Sequence, residues 1–287
     1  MLVCAGGHGT IYPHTTLTGA LCKPITDARG EVELAFYAAV FSPARCALPP
    51  ATLMPRYLGT LPAAERGGAG AAATGAAATG AAATGAAATG AGAALVLADL
   101  TAGLACPCVM DVKMGVQSWD GAADAAKRAR EGAKWPAQAR LGLRFTGMVV
   151  QGAGGAQQRY DRAFCHSLPC EGDEGPRLAL QAFLAEGGGA LRRAVAAALL
   201  ARLEKIVEWF AVQREFHFYA SSLLLVYEGA GDAPAARADV RMIDFAHVQA
   251  APADGAAAAS GRDEGYLTGL HTLVRCLQGM LTAPAPP

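Results

Sequence analysis

Hydrophobic and polar positions alternate along the chain in a way that predicts short strands first and helices later. Residues 1 to 25 read as a Gly-rich turn followed by two strands, the second running through Leu21-Cys22-Lys23-Pro24. A helical pattern opens at Glu31 or Glu33, carries Val32, Phe36, Tyr37 and Val40, and ends before Pro43. Arg56-Tyr57-Leu58-Gly59 is a short strand within the Pro-rich stretch 42 to 62. Leu95 to Leu100 reads as a buried strand, and Pro107 to Gly115 as an extended segment between an apolar approach and a glycine. Residues 119 to 140 are expected to be largely helical, Leu143 to Val150 a strand, and Gln151 to Gln158 a turn. Two amphipathic helices, Leu178 to Leu184 and Leu191 to Arg214, flank Gly187-Gly188-Gly189, and Trp209, Phe210 and Ile206 mark the core stripe. Phe218 to Tyr227 is a strand carrying Ser221 and Ser222; Val240 to His247 ends a further strand; Gly265 to Leu281 is a terminal helix.

Between these elements lies an insert. Ala-Ala-Ala-Thr-Gly repeats from Ala71 to Gly90. A glycine every fifth residue defeats a helix, and alanine offers too little apolar surface to offset the ordering entropy. Residues 66 to 93 are therefore expected to be disordered.

Composition narrows the possibilities. The hydrophobic share of 53% is inflated by alanine, and no apolar run is long enough to span a membrane. Met1 to Thr10 lacks the basic start and apolar stretch of a secretory signal. The formal net charge is +0, which implies no global attraction to nucleic acid or acidic membranes. Eight cysteines in 287 residues are too sparse for a disulfide scaffold, and neither Cys106/Cys108 nor Cys165/Cys170 has zinc-site spacing. Reduced thiols in the nucleus or cytoplasm, and a monomer, are the expectation.

The chemistry centres on Pro107-Cys108-Val109-Met110-Asp111-Val112-Lys113-Met114-Gly115. On an extended segment, positions two apart share a face, so Asp111 and Lys113 look onto one site while Val112 packs away. An acid and an ammonium on one wall suit a hydroxyl and a phosphate. Lys127, Arg130 and Lys134 fall at i, i+3 and i+7, which on one helix would make a basic face, and Arg128, Arg140 and Arg144 add positive charge around it. Local positive charge in a neutral chain is what binding a small polyanion requires. Ile243-Asp244-Phe245 has the form of a strand-end carboxylate, suited to Mg²⁺ completed by water and phosphate oxygens. Gly6, Gly7 and Gly9 suit either a loop over phosphates or a plain turn.

These residues also carry a resemblance. Pro107-x-x-x-Asp111-x-Lys113-x-Gly115 resembles the P-x-x-x-D-x-K-x-G motif of the inositol polyphosphate kinase family. Ser221-Ser222-Leu223-Leu224, Ile243-Asp244-Phe245 and Gly265-Tyr266-Leu267-x-Gly269-Leu270 follow in the family's order. Glu33-Leu34-Ala35-Phe36-Tyr37 is similar to its E-x-x-F-Y, and Leu95-Val96-Leu97-Ala98-Asp99-Leu100 to its hinge. The resemblance implies an α+β, bilobal, protein-kinase-like and SAICAR-synthase-like fold of antiparallel sheets with helices. Residues 1–100 would be an N-lobe, short because the chain begins near the first motif, and 101–287 a C-lobe with an inositol phosphate-binding segment at 116–141. ATP would lie in the cleft between them.

The resemblance further implies ATP and Mg²⁺ as cofactors and a soluble inositol polyphosphate as substrate. Lys23 with Glu33, Ala98, Asp99, Leu100, Asp111, Ser222 and Asp244 would bind ATP, with Asp244 also on the metal. Arg29, Lys113, Lys127, Arg130, Lys134 and His247 would bind the inositol phosphate. Asp111 and Lys113 would be catalytic, with Asp111 either receiving a hydroxyl proton or binding the ribose. Trp119-Asp120 and the short inositol-binding segment look most like the inositol polyphosphate multikinases. A hexakisphosphate kinase, or a catalytically weak inositol phosphate-binding scaffold, is the alternative.

Overall fold

The computed structural model describes residues 11–42, 51–62, 93–152, 156–185, 190–230, 234–251 and 261–283. The repeat insert and the Gly6–Gly9 cluster lie outside these described residues.

Four strands form the first sheet: β1 (Tyr12–Pro13), β2 (Ala20–Pro24), β3 (Tyr57–Leu61) and β4 (Ala94–Ala98), in the order β1-β2-β4-β3, all antiparallel. Helix α1 (Ala28–Val40) follows β2, and its N-cap Asp27 accepts hydrogen bonds from the Arg29 and Gly30 amides. Phe36, Tyr37 and Val40 face the core as expected, but Val32 is 40% exposed and belongs to the outer face.

The second sheet has five antiparallel strands in the order β10-β9-β5-β6-β7. These are β5 (Pro107–Met114), β6 (Leu143–Gln151), β7 (Gln157–Tyr160), β9 (Ser222–Glu228) and β10 (Asp239–Ile243). Strand β5 is central. Its Cys108, Met110, Val112 and Met114 all join the main hydrophobic core, so the period of two sends Val109, Asp111 and Lys113 to the opposite face.

Two departures from the expected elements matter. The strand anticipated over Phe218–Tyr227 is split into β8 (Phe216–Phe218), which pairs with β11 (Val248–Ala250), and β9; between them Ala220 has φ 53°. Ser221 thus lies in the break, and Ser221 and Ser222 are each 1% exposed rather than solvated. The stretch 119–140 holds only α2 (Ala125–Gly132) and the short α3 (Gln138–Leu141). Pro136 cannot donate within a helix and disfavours helical backbone before it, and Trp135 is buried with its Nε1–H on the Leu168 carbonyl at 3.1 Å.

Helices α4 (Arg162–Ser167), α5 (Glu174–Leu184), α6 (Arg193–Val212) and α7 (Glu264–Thr282) complete the fold. Tyr266 of α7 stacks on Phe210 of α6 with ring centroids 4.2 Å apart. Gly269 faces Gly142, where an added Cβ would overlap the Gly142 carbonyl. That carbonyl accepts from the Gly115 amide at 2.8 Å, so the glycine of α7 lets the helix press the end of β5 into place.

Candidate functional site

The site forms where the two sheets face each other, and a lysine with two carboxylates joins them. Lys23 Nζ lies 2.8 Å from Glu33 Oε2 and 2.6 Å from Asp244 Oδ1, two contacts from opposite sides of the fold. Glu33 also accepts from the Phe245 amide at 3.3 Å, which pins α1 to the end of β10. Burial alone would depress the Lys23 ammonium; the charges of Asp244 and Glu33 outweigh it and raise its pKa. Burial would raise Asp244, but Lys23 and Lys113 hold its carboxyl below the ordinary value. Glu33, 2% exposed, is raised by its burial. Asp244 has φ 63°, a strained conformation for a non-glycine residue, and its side chain remains 35% exposed.

Across from this cluster, the outward face of β5 reads in three steps. Val109 packs with Val226, Leu100 and Leu104 into an apolar floor. Asp111 comes next, opposite Gly147 of β6, at a bulge that admits Thr146 as an extra residue. Asp111 is 5% exposed, and its Oδ1 has no hydrogen-bond partner. Burial, then the charge of Asp244, pushes its pKa up to about 6, while Lys113 and the Ser222 and Thr146 hydroxyls pull it back. Lys113 is third, in register with Ser222 of β9 and Arg144 of β6. Its Nζ donates to the carbonyl of strained Ala220 at 2.9 Å, and burial lowers its pKa against the pull of Asp244 and Asp111. The Ser222 hydroxyl is buried without a partner at hydrogen-bond distance.

The anticipated hinge is more specific than the sequence suggested. The Ala98 amide donates to Arg56 and the Asp99 amide to Gly19, and the Asp99 carboxylate caps Thr101. The Leu100 amide is the one of the three without such a bond among the described residues.

The basic segment also rearranges. Lys127 and Arg130 lie on α2 and close no ion pair with a carboxylate among the described residues, although the charge of Lys127 reaches Asp120. Lys134 lies beyond the helix end, so it does not share their helical face; it bonds Glu131 at 2.5 Å. Arg144 is 4% exposed and contacts Glu131 at 3.5 Å. Arg128 is engaged by the Ala123 and Gly121 carbonyls and Arg140 by those of Cys170 and Gly172, so these arginines hold backbone together. Arg29 is engaged by Asp27 at 2.6 Å on the exposed start of α1. His247 Nδ1 lies 2.9 Å from Asp120 Oδ2. A cavity of about 280 Å³ opens behind Gly115, between Val116, Gln117, His217, Tyr219 and Arg262.

Sequence reasoning missed Glu131, Asp120 as a partner of His247, and the role of Thr146. An acidic residue next to Arg130 was a visible signal for the first; the other two depend on contacts between remote segments.

Residues 94–278 match the model of the inositol polyphosphate kinase family. The chain belongs to that family. An inositol polyphosphate multikinase of Oryza sativa subsp. indica is 34% identical over 281 residues, covering 90% of this chain and 84% of the relative. One from Rattus norvegicus is 33% identical over 154 residues, covering 52% of this chain and 37% of the relative. Among solved structures, the multikinase Ipk2 of S. cerevisiae, in complex with ADP and Mn²⁺, has a TM-score of 0.66 at 22% identity, covering 91% of this chain and 99% of that one. The α+β kinase fold expected from the motifs is thus the fold this family member has. No helix among the described residues is long and apolar enough to cross a membrane.

As a divalent metal site, this member of the family offers Asp244. No group of three or more His, Cys, Asp or Glu residues that could cage a metal gathers among the described residues. One side-chain carboxylate, 35% exposed, is a donor that fits Mg²⁺ brought in with phosphate oxygens and water.

Proposed function

We propose that this chain transfers the γ-phosphoryl group of ATP to hydroxyls of soluble inositol polyphosphates, taking inositol tris- and tetrakisphosphates to tetrakis- and pentakisphosphates. The observation that carries the reading is the convergence of Lys23, Asp244, Asp111 and Lys113 where the two sheets meet. Residues 1–100 and 101–287 would act as the two lobes around it.

The order along β5 supports a placement of the nucleotide. The apolar floor at Val109 and Leu100 suits an adenine, with the Leu100 amide as its donor. Asp111, one step along, presents an unpartnered carboxylate oxygen that fits the ribose hydroxyls; the attacking hydroxyl is the other donor it could accept. Lys23, held by Glu33, neutralises phosphate charge. Mg²⁺ held by Asp244 would neutralise charge on the terminal phosphates. Lys113 places a second point charge where the transferring group and the acceptor meet, and phosphoryl transfer gains most from such positioning and charge. Lys127, Arg130 and His247 are assigned to the acceptor's phosphates, with Lys134 joining them by exchanging its bond to Glu131. Cys106, Cys108, Cys165, Cys170 and Cys276 carry free thiols, which supports a reducing cytoplasm or nucleus as the setting.

Incubation with γ-labelled ATP, Mg²⁺ and inositol trisphosphate, followed by anion-exchange separation, tests the reading. Labelled tetrakis- and pentakisphosphates support it. Pyrophosphate products from inositol hexakisphosphate alone would instead assign a hexakisphosphate kinase, and binding of both ligands without turnover would assign a scaffold.

A further inference from the structure

We propose that Asp120 is a positioning residue for the acceptor site: its carboxylate fixes the His247 ring so that Nε2 is the nitrogen presented to a phosphate of the substrate. The proposal rests on the functional reading above for the identity of that substrate.

The two residues are 127 positions apart and come from the segments that would flank the acceptor. Asp120 lies in the loop between β5 and α2, a few residues before Lys127. His247 lies in the turn between β10 and β11, three residues after Asp244. Asp120 Oδ2 meets His247 Nδ1 at 2.9 Å, and the two side chains are only 12% and 20% exposed. The carboxylate is itself held, because its Oδ1 accepts from the Ala122 amide at 3.1 Å.

This geometry determines where the proton sits. Burial would raise the Asp120 carboxyl, but the His247 contact, the Ala122 amide and the charge of Lys127 together hold it below its ordinary value. An ionised carboxylate only accepts hydrogen bonds, so the shared proton is on Nδ1. The other nitrogen, Nε2, is then the one that meets a ligand, and when the ring is cationic it donates to a phosphate oxygen. A histidine without such a partner divides its proton between the two nitrogens and rotates between orientations. The contact also ties the loop that leads into Lys127 and Arg130 to the turn that carries Asp244, which sets the distance between acceptor and phosphoryl donor.

The test combines a spectroscopic and a kinetic readout. Long-range ¹H–¹⁵N correlation spectra of the protein without ligands, at mildly alkaline pH, report which nitrogen of each histidine is protonated; His247→Ala assigns the signal. The expected result is an Nδ1-protonated His247 in the wild type and a shift toward the Nε2-protonated form in Asp120→Ala. With inositol trisphosphate and Mg-ATP, Asp120→Ala is expected to raise KM for the inositol phosphate about tenfold and to leave KM for ATP within about twofold. Asp120→Asn, which keeps an acceptor oxygen and the loop contact, recovers most of that loss. Asp120→Ala combined with His247→Ala is no worse than His247→Ala alone. An unchanged His247 proton position in Asp120→Ala, or losses that add in the double variant, overturns the proposal. Because the spectra need no turnover, failure of the wild type to transfer phosphate would count against the functional reading and leave the Asp120–His247 result standing.

Discussion

Asp111 is held in the fold at the cost of stability, and replacing it should make the protein more stable and less active at the same time. It is 5% exposed, and burial together with Asp244 moves its pKa from an ordinary 3.8 to about 6. That displacement corresponds to about 3 kcal/mol, the work of ionising the group in the cleft beyond ionising it in the unfolded chain. Because the folded pKa lies above the unfolded one, the penalty is absent below about pH 4, grows as pH rises, and is complete above about pH 6.5. Asp111→Asn removes this titration. Without nucleotide or metal, urea denaturation should show the variant about 3 kcal/mol more stable than the wild type at pH 7.5, with the gap closing to about 1 kcal/mol at pH 4.5. Phosphate transfer should fall in the same variant. A variant less stable than the wild type at pH 7.5, or a gain that does not change with pH, would refute the reasoning.

Other perturbations test other parts of the site. Lys127→Ala with Arg130→Ala should raise KM for the inositol phosphate at least tenfold more than KM for ATP; equal effects in steady-state kinetics would move these residues out of the acceptor site. Lys23→Met leaves Glu33 buried beside Asp244, which should cost about 3–5 kcal/mol in chemical denaturation. Since burial already raises the Glu33 pKa, that loss should grow as pH rises and the carboxyl gives up its proton, and shrink as pH falls. Gly269→Ala drives a methyl into the Gly142 carbonyl, and thermal melts should show a loss of about 1–3 kcal/mol or more.

What the sequence made legible follows from the range of the interactions involved. The shared face of Asp111 and Lys113 depends only on strand periodicity, and the central position of β5 preserves it. Lys23 and Glu33 are ten residues apart, on a strand and the helix that follows it, so their meeting could be anticipated. The basic helix face does not extend to Lys134, because Pro136 and the buried Trp135 end α2 before it, whereas the charge spacing alone is compatible with a longer helix. Ser221 and Ser222 are buried because Ala220 breaks the strand with a positive φ, a tertiary constraint tied to Lys113 that no local propensity for alanine reveals. Glu131 with Arg144, and Asp120 with His247, are pairs set by how the loops fold back onto the sheet.

The central claim is that ATP and an inositol polyphosphate meet end to end where Asp244 and Lys113 face each other. It is tested most directly by measuring labelled phosphate transfer and metal-free ATP binding together in the wild type, Asp244→Ala and Lys113→Ala. The account predicts labelled inositol polyphosphate from the wild type, at least about a thousandfold less from either variant, and metal-free ATP binding retained in Asp244→Ala. Undiminished transfer by Asp244→Ala and Lys113→Ala would contradict it.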